Sequence, residues 1–198
     1  TKFLDAVRQI LAQAPERKAY YPGSLERYET FVNSPPKAER LSRGITEGVV
    51  PWTLIPDLEP KSEDLCFREE AFCGILAETA LEGASAEEYL LNAAEFCNER
   101  VWGTLNAALL IPPDTEKIRG LLDRVLLELR YGTSGINVWP ALGFALGVTP
   151  WGAYPGNSDA DIGSGTGWVH NTLFFDKPLK SIVKAPFAPP FRLPYFLG

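Results

Sequence analysis

Several residue types are scarce in this sequence, and each shortage excludes a class of protein. The 198-residue chain contains no methionine, a single histidine (His170) and three cysteines (Cys66, Cys73 and Cys97). One histidine leaves almost no room for a histidine-based metal site, and three unevenly spaced cysteines fit neither a disulfide framework nor a CxxC metal site. We therefore predict no metal centre and a reducing, cytoplasmic environment.

Long apolar runs and basic stripes are missing as well. No run approaches the roughly 20 apolar residues that cross a bilayer, which predicts that the chain does not span a membrane. The net charge is −6 and no basic stripe is present, which argues against a dedicated nucleic-acid partner. Because the first residue is Thr1 rather than methionine, we expect a piece of a longer polypeptide.

The N-terminal part combines helical and extended patterns. Apolar residues at helical spacing predict a helix from Lys2 to Ala14, and a second helix is possible over Leu25–Val32. Gly48–Ile55 has an extended pattern. Since Pro51 cannot donate a hydrogen bond to a sheet, we expect this segment to be an edge or irregular strand.

Strands and helices alternate in the middle of the chain. Apolar runs predict buried strands at Gly74–Leu81, Thr104–Ile111 and Ser134–Val138. Ser85 and Glu88 form a capping box that opens a helix through Val101. A second helix, which buries Ile118 among others, is predicted from Pro112 to Gly132. This order predicts an α/β fold with a parallel sheet and right-handed crossover helices.

The composition changes after Val138. From Pro140 to Gly198 only seven side chains are charged, glycine, proline and aromatic residues are frequent, and one strand is predicted at Ser181–Ala185. So weakly charged a segment should lie against a partner subunit or a second domain, or line a pocket. We therefore divide the chain into an α/β portion, 1–139, and a loop-rich C-terminal portion, 140–198.

Two features invite a chemical interpretation that their context does not favour. Gly163–Gly167 resembles a phosphate-binding loop, but Trp168–Phe175 has an extended pattern, whereas a phosphate loop precedes a helix. A structural loop is the favoured interpretation. His170 has no sequence neighbour that marks it as a base, so a structural role is favoured for it too.

The cysteines and one acidic segment offer only weak chemical signals. Cys66 and Cys73 flank acidic residues, which raise the pKa of a thiol, and Cys97 falls on the apolar side of a predicted helix. None is a persuasive nucleophile. Glu69 and Glu70 precede a predicted strand, where a carboxylate can accept hydrogen bonds from ribose hydroxyls. On local sequence alone, a solvated charge pair is the favoured interpretation.

Five short motifs occur in a recognisable order. They are Pro51-Trp52-Thr53, Glu70-Ala71-Phe72-Cys73-Gly74, Gly132-Thr133-Ser134-Gly135-Ile136-Asn137, Pro150-Trp151-Gly152-Ala153 and Ser164-Gly165-Thr166-Gly167. In this order they resemble the C-terminal part of the aldehyde dehydrogenases, and the resemblance covers nearly the whole chain. It implies that the catalytic cysteine, the general-base glutamate and the Rossmann half of the family lie before Thr1, so that no catalytic residue is in this chain.

The sequence departs from the family pattern in three places. Cys73 and Gly74 stand where the family has Gly-Pro, Ala153 replaces a glycine, and the residues after Ser164–Gly167 look extended where relatives have a helix. None of the three cysteines matches the position of the family nucleophile. The chain therefore resembles a divergent branch.

The resemblance implies a cofactor site and an assembly strand. Glu70 would hold the nicotinamide ribose of NAD or NADP, and Phe72 would pack beside the nicotinamide. Ser181–Ala185 would extend the sheet of a neighbouring subunit, which predicts a homo-oligomer.

The resemblance also implies a substrate site. Asn137 would be the strand-end residue near the active site, and Trp139, Phe144 and Trp151 would line the aldehyde tunnel, whose aromatic walls suit an apolar aldehyde.

The function implied is that of a fragment of an NAD(P)-dependent aldehyde dehydrogenase-like oxidoreductase. Such an enzyme oxidises an aldehyde to a carboxylic acid through a cysteine thiohemiacetal, and the chain alone is expected to be inactive. One alternative is a non-catalytic assembly or interaction module of the same family. Another is an unrelated binding domain, which would make the five ordered motifs a coincidence.

Overall fold

The computed structural model describes residues 1–33, 38–42 and 48–187. The helices in this part of the chain are α1 (Lys2–Gln13), α2 (Ser24–Asn33), α3 (Leu65–Arg68), α4 (Ala86–Glu99), α5 (Pro113–Glu116), α6 (Leu121–Glu128) and α7 (Leu142–Ala145). The strands are β1 (Glu39–Arg40), β2 (Thr53–Leu58), β3 (Ile75–Thr79), β4 (Asn106–Leu109), β5 (Thr133–Ile136) and β6 (Ser181–Lys184). The mixed α/β class predicted from the sequence is confirmed.

The chain forms two compact units. The first contains Thr1–Glu82 and Arg100–Trp102, and the second contains Gly83–Glu99 and the described residues from Gly103 onward. The division predicted between residues 139 and 140, into an α/β portion and a loop-rich portion, stays a prediction. Residues 188–198 of the predicted C-terminal portion lie outside the described residues.

The sheet of the first unit has the order β1-β2-β3. In its centre, β2 runs antiparallel to β1 and parallel to β3, with Thr53 opposite both Arg40 and Ile75. Of the two predicted alternatives, the irregular strand agrees with the shift in the β2–β3 register between Ile55 and Leu58. The edge strand is wrong, because β2 is central. The physical reason is that Pro51 precedes the strand, while Pro56 lies where the register with β3 shifts, so neither proline occupies a position that needs a ladder donor.

One helix face covers the middle of this sheet. Tyr28, Val32 and Val50 form a buried cluster. The Tyr28 hydroxyl is 2.8 Å from Thr53 Oγ1, and Tyr28 is fully buried. This hydrogen bond satisfies a phenol that would otherwise be buried without a partner. By contrast β3, predicted to be buried, is only partly covered, and Leu76 is 44% exposed.

The second unit contains the parallel sheet β4-β5-β6. Its core is formed by α4, α6 and the residues that follow α6, namely Ala94, Leu121, Val125, Leu129 and Tyr131. The predicted capping box at the start of α4 is confirmed. The Glu88 N–H donates to Ser85 Oγ at 3.1 Å, and the Glu88 carboxylate accepts from the Ala84 N–H at 2.8 Å.

Two expectations for the middle of the chain were wrong. The strands β3, β4 and β5 do not share one sheet, since β3 belongs to the first sheet and the parallel order holds only from β4 to β6. The single helix predicted from Pro112 to Gly132 is interrupted between Glu116 and Leu121. Gly120, directly before α6, has a left-handed φ of 71°, which a continuous right-handed helix does not contain. Ile118, in the interruption, is 40% exposed instead of buried.

The predicted C-terminal strand is present as β6. It pairs in parallel with β5 of the same chain, with Ser181 opposite Thr133 and Lys184 opposite Ile136. Among the described residues, no helix combines the length and the apolar character that crossing a bilayer requires.

Candidate functional site

A cleft of about 430 Å³ opens in the first unit. It is lined by residues 17–21 before α2, by Val50 and Trp52 before β2, and by residues 70–75 before and at the start of β3. Its volume falls in the range of about 300–1,000 Å³ that is typical of small-molecule sites. Two residues named from the sequence, Glu70 and Phe72, both line this cleft.

A short helix and a strand hold the segment that carries these two residues. Asp64 caps α3, since its carboxylate accepts the Cys66 N–H at 2.9 Å. The helix ends at Arg68, and Glu69 is already extended, with φ −141° and ψ 152°. At the other end, the Thr53 N–H donates to the Gly74 carbonyl at 2.8 Å, which ties the segment to β2. Glu70 and Phe72 therefore lie on a connection fixed at both ends.

Phe72 belongs to a row of aromatic rings at this cleft, formed with Tyr20 and Tyr21. The Tyr21 ring lies 5.0 Å from the Phe72 ring and 5.1 Å from the Tyr20 ring, both in edge-on geometry. The Arg27 guanidinium lies 5.5 Å from the Phe72 ring centroid, within cation–π distance. Phe72 also has φ 49°, a left-handed conformation that is uncommon for a bulky residue.

Trp52 and Gly74 pack against each other in the same cleft. A Cβ atom added to Gly74 would lie 2.7 Å from Cε3 of Trp52. The indole N–H of Trp52 donates to the Pro15 carbonyl at 3.3 Å, which holds the ring in place. Proline, the residue of the family pattern at position 74, has a Cβ atom and would collide with this indole. The departure at Gly74 is thus explained by Trp52.

Three charged residues line the cleft: Arg17, Lys18 and Glu70. All three are exposed. Within residues 1–33, 38–42 and 48–187, no ion pair or hydrogen bond holds any of the three side chains. The Glu70 carboxylate can therefore accept hydrogen bonds from a ligand, and the two cations can meet an anionic group.

The three thiols share a raised pKa, and burial is the main cause in each case. Burial and a hydrogen bond with Asp64 raise the pKa of Cys66 to about 12. Burial also raises the pKa of Cys97, and that of Cys73, where the charge of Arg27 acts in the opposite direction. A nucleophilic cysteine needs a lowered pKa. The raised pKa of Cys73 therefore comes from burial and not from the acidic neighbours that the sequence indicates.

In the second unit, the predicted substrate residue Asn137 lies directly after β5. Its side-chain amide donates to the Ile111 carbonyl at 3.1 Å and accepts the Ile111 N–H at 2.7 Å. Its φ of 55° is left-handed, a conformation that asparagine tolerates better than most residues. Asn137 thus joins the end of β5 to the chain that leaves β4.

The predicted tunnel residues are only partly brought together. The Phe144 ring lies 5.8 Å from the Trp151 ring and 4.5 Å from the His170 ring. Trp139, by contrast, is 72% exposed. His170 was not assigned to a site from the sequence, and no local signal indicates it, because Phe144 is distant from it in the chain.

Three glycine-containing motifs of the second unit pack backbone to backbone. A Cβ atom added to Gly132 would overlap the Gly152 carbonyl oxygen, and one added to Gly152 would overlap that of Gly167. The Ser164 hydroxyl accepts the Thr104 N–H at 2.9 Å. Close backbone packing therefore requires glycine at positions 132 and 152.

The segment after the glycine-rich run, predicted to be extended over Trp168–Phe175, is extended only at its start. His170 and Phe174 have left-handed φ values of 61° and 54°, and a turn lies between them at Thr172 and Leu173. Val169 forms an isolated antiparallel bridge with Trp151. Since no helix follows the run in the described residues up to 187, the run lacks the helix N-terminus that a phosphate cradle uses.

Comparison with known proteins gives structural matches alone. No protein-family model matches the sequence, and no curated protein matches it. The chain is similar in structure to two point mutants of aldehyde dehydrogenase from Bacillus cereus, at 18% and 17% identity, and to the NAD+ complex of aldehyde dehydrogenase from the same organism, at 18% identity. Each match has a TM-score of 0.55 and covers 77% of this chain.

These matches extend over less than a third of the dehydrogenases themselves, since the chain covers 31% of each of them. Identity this low carries information on the fold alone. The structural resemblance predicted from the ordered motifs is confirmed at that level. Over about three quarters of its length, the chain has the fold of part of an aldehyde dehydrogenase.

Proposed function

We propose that this chain is part of an NAD(P)-dependent oxidoreductase of the aldehyde dehydrogenase type, which oxidises an aldehyde to a carboxylic acid. The observation that carries the proposal is that Glu70 and Phe72, named from a Glu-x-Phe motif, line one cleft. The similar fold of a dehydrogenase solved as an NAD+ complex supports it.

The residues at the cleft fit the nicotinamide end of such a cofactor. A carboxylate can accept hydrogen bonds from two adjacent ribose hydroxyls, and the Glu70 carboxylate is exposed at the cleft, where a ligand can reach it. The ring of Phe72, 39% exposed, offers an aromatic face to the nicotinamide. The cofactor supplies a hydride acceptor when it is bound. In this proposal Glu70 binds and orients the ribose, and Phe72 positions the ring.

We assign the substrate side of the reaction to the second unit. Phe144 and Trp151, whose rings are in contact, are the proposed wall for an apolar aldehyde, together with the exposed Trp139. Asn137 is a positioning residue in this scheme, because its amide is used by the Ile111 backbone. The nucleophilic cysteine belongs, on this proposal, to the part of the dehydrogenases that the chain does not match.

Binding of NAD and NADP to the 198-residue chain, followed by calorimetry, tests the cofactor proposal. Because it removes a charge-assisted hydrogen-bond acceptor, Glu70→Gln should weaken binding roughly fivefold to tenfold. Glu69→Gln is the matched control, since Glu69 is the adjacent exposed carboxylate and does not line the cleft. Absence of binding, or an equal loss in both variants, would contradict the proposal.

A second candidate function, a non-catalytic assembly module, is favoured by the exposed apolar residues near the C-terminal strand. Phe174, Phe175 and Ile182 are 90%, 55% and 50% exposed. Among the described residues β6 pairs with β5 alone, so its outer edge can accept another strand. We propose that Ser181–Ala185 supports homo-oligomerisation by this edge. Sedimentation of wild type and Ile182→Lys tests this, with a monomer expected for the variant and an unchanged mass contradicting it.

A further inference from the structure

We propose that Arg17 and Lys18 add a phosphate-binding subsite to the cleft of the first unit. The preferred ligand is then the nicotinamide mononucleotide half of the cofactor, which combines a cationic ring, a ribose and a phosphate. The inference deepens the proposed function and rests on it, because it takes Glu70 as the residue that holds the ribose. Its new content is the phosphate and the two cations that bind it.

The first argument is the local charge. Arg17 and Lys18 line the same cleft as Glu70, so its charged side chains sum to a positive charge in a chain whose net charge is −6. In the part of the chain that the structure describes, neither cation is neutralised by an ion pair. Two adjacent cations without acidic partners favour an anionic group, and Arg and Lys are both common phosphate ligands.

The second argument is that the backbone beneath these cations is anchored. Lys18 forms an antiparallel bridge with Val49, and the Ala19 N–H donates to the Gly48 carbonyl at 2.9 Å. Just before them, the Pro15 carbonyl accepts the Trp52 indole N–H. Both cations therefore start from fixed positions at the cleft, which lowers the entropy lost when they bind an anion.

The third argument is the exposed aromatic row. Tyr20, Tyr21 and Phe72 are 88%, 48% and 39% exposed, although their rings contact one another in sequence. Rings in water gain more by covering a ligand than by remaining exposed. The oxidised nicotinamide ring is positively charged and is attracted to aromatic faces by cation–π interaction. The row therefore suits the ring, while the cations suit the phosphate.

Together, the aromatic row and the two cations favour a ligand that neither of them would select alone. Aromatic rings accept many planar compounds, and paired cations accept many anions. A ligand with a cationic ring at one end and a phosphate on the adjacent ribose satisfies both, and it leaves Glu70 for the hydroxyls between them. The adenosine half of a dinucleotide is not needed for this recognition.

Titration calorimetry with two probes tests the subsite. Nicotinamide riboside carries the ring and ribose, and nicotinamide mononucleotide adds only the phosphate. We expect the mononucleotide to bind the 198-residue chain roughly tenfold more tightly than the riboside, with the difference shrinking as salt is added. The double variant Arg17→Gln/Lys18→Gln should abolish the difference and leave riboside binding unchanged. Lys117→Gln/Arg119→Gln, an exposed basic pair away from the cleft, is the matched control.

The possible results separate this inference from the proposed function. If both probes bind with equal affinity and Glu70→Gln weakens that binding, the phosphate subsite is overturned and the ribose site is supported. A second result would support the subsite and overturn the ribose role of Glu70. In that result the mononucleotide binds more tightly than the riboside, the Arg17→Gln/Lys18→Gln variant abolishes this difference, and Glu70→Gln leaves the binding of both probes unchanged. If neither probe binds, or if the control pair lowers mononucleotide binding as much as the Arg17/Lys18 pair, the subsite is overturned.

Discussion

Gly74 lies directly beneath the indole of Trp52, so that a Cβ atom at position 74 would be 2.7 Å from Cε3 of the ring. The two residues are 22 positions apart and belong to different motifs of the sequence. Gly74 stands where the aldehyde dehydrogenase pattern has a proline. The contact accounts for the departure at position 74, because a residue with a Cβ atom would meet the indole in the wall of the cleft.

Gly74→Ala should destabilise the first unit by about 1–3 kcal/mol, because the added methyl group overpacks against the indole. In a Trp52→Leu background the same substitution should cost less, since the ring atoms that it meets are gone. A double-mutant cycle of urea unfolding measures the coupling between the two sites. Equal costs in both backgrounds would show that the contact does not determine the glycine.

Gly132→Ala should be far more disruptive, with a loss above about 3 kcal/mol, because the new methyl group would overlap the Gly152 carbonyl of the backbone. A flexible side chain can move aside, whereas this carbonyl is held in the fold. Gly156→Ala is the control, since no atom lies within 4 Å of a Cβ there and only its φ of 140° opposes the change. Thermal unfolding followed by circular dichroism compares the stabilities of the Gly132→Ala and Gly156→Ala variants. A smaller loss of stability in Gly132→Ala than in Gly156→Ala would contradict the expectation.

Asn137 contributes to stability through two hydrogen bonds and a left-handed backbone. Asn137→Gly keeps the conformation and loses both bonds to Ile111, so about 1–3 kcal/mol should be lost. Asn137→Ala loses the bonds and adds backbone strain of about 1–2 kcal/mol. Denaturant unfolding of the two variants separates the contributions. Identical stabilities would mean that the backbone conformation relaxes.

Cys66 should react slowly with iodoacetamide in the folded protein even at alkaline pH. Its pKa rises from 9.0 to about 12 on folding, chiefly through burial. A raised folded pKa favours the protonated thiol, so its stabilising contribution is complete below pH 9 and is lost as the pH rises toward 12. Asp64→Asn should lower this pKa without restoring the ordinary value. Mass spectrometry of the labelled thiol across pH 8 to 11 follows the titration, and fast labelling near pH 9 would contradict the shift.

Local patterns determined much of this protein. The helical spacing of apolar residues predicted α1, the Ser85–Glu88 box predicted the start of α4, and the order of short motifs predicted the aldehyde dehydrogenase fold. These features depend on residues within one or two turns of each other, or on their order along the chain. They are therefore readable without knowledge of which elements become neighbours.

The tertiary structure alone decided which strands pair and which side chains meet. The central place of β2, the separation of β3 from β4, and the contact of Trp52 with Gly74 depend on partners that are distant in the sequence. Likewise, Arg17 and Tyr21 show no pattern that links them to Glu70, and they share its cleft only because the first unit folds. Periodicity reports which face of an element is buried, but not the element that buries it. Chain order predicted the kind of fold, and long-range packing formed the cleft.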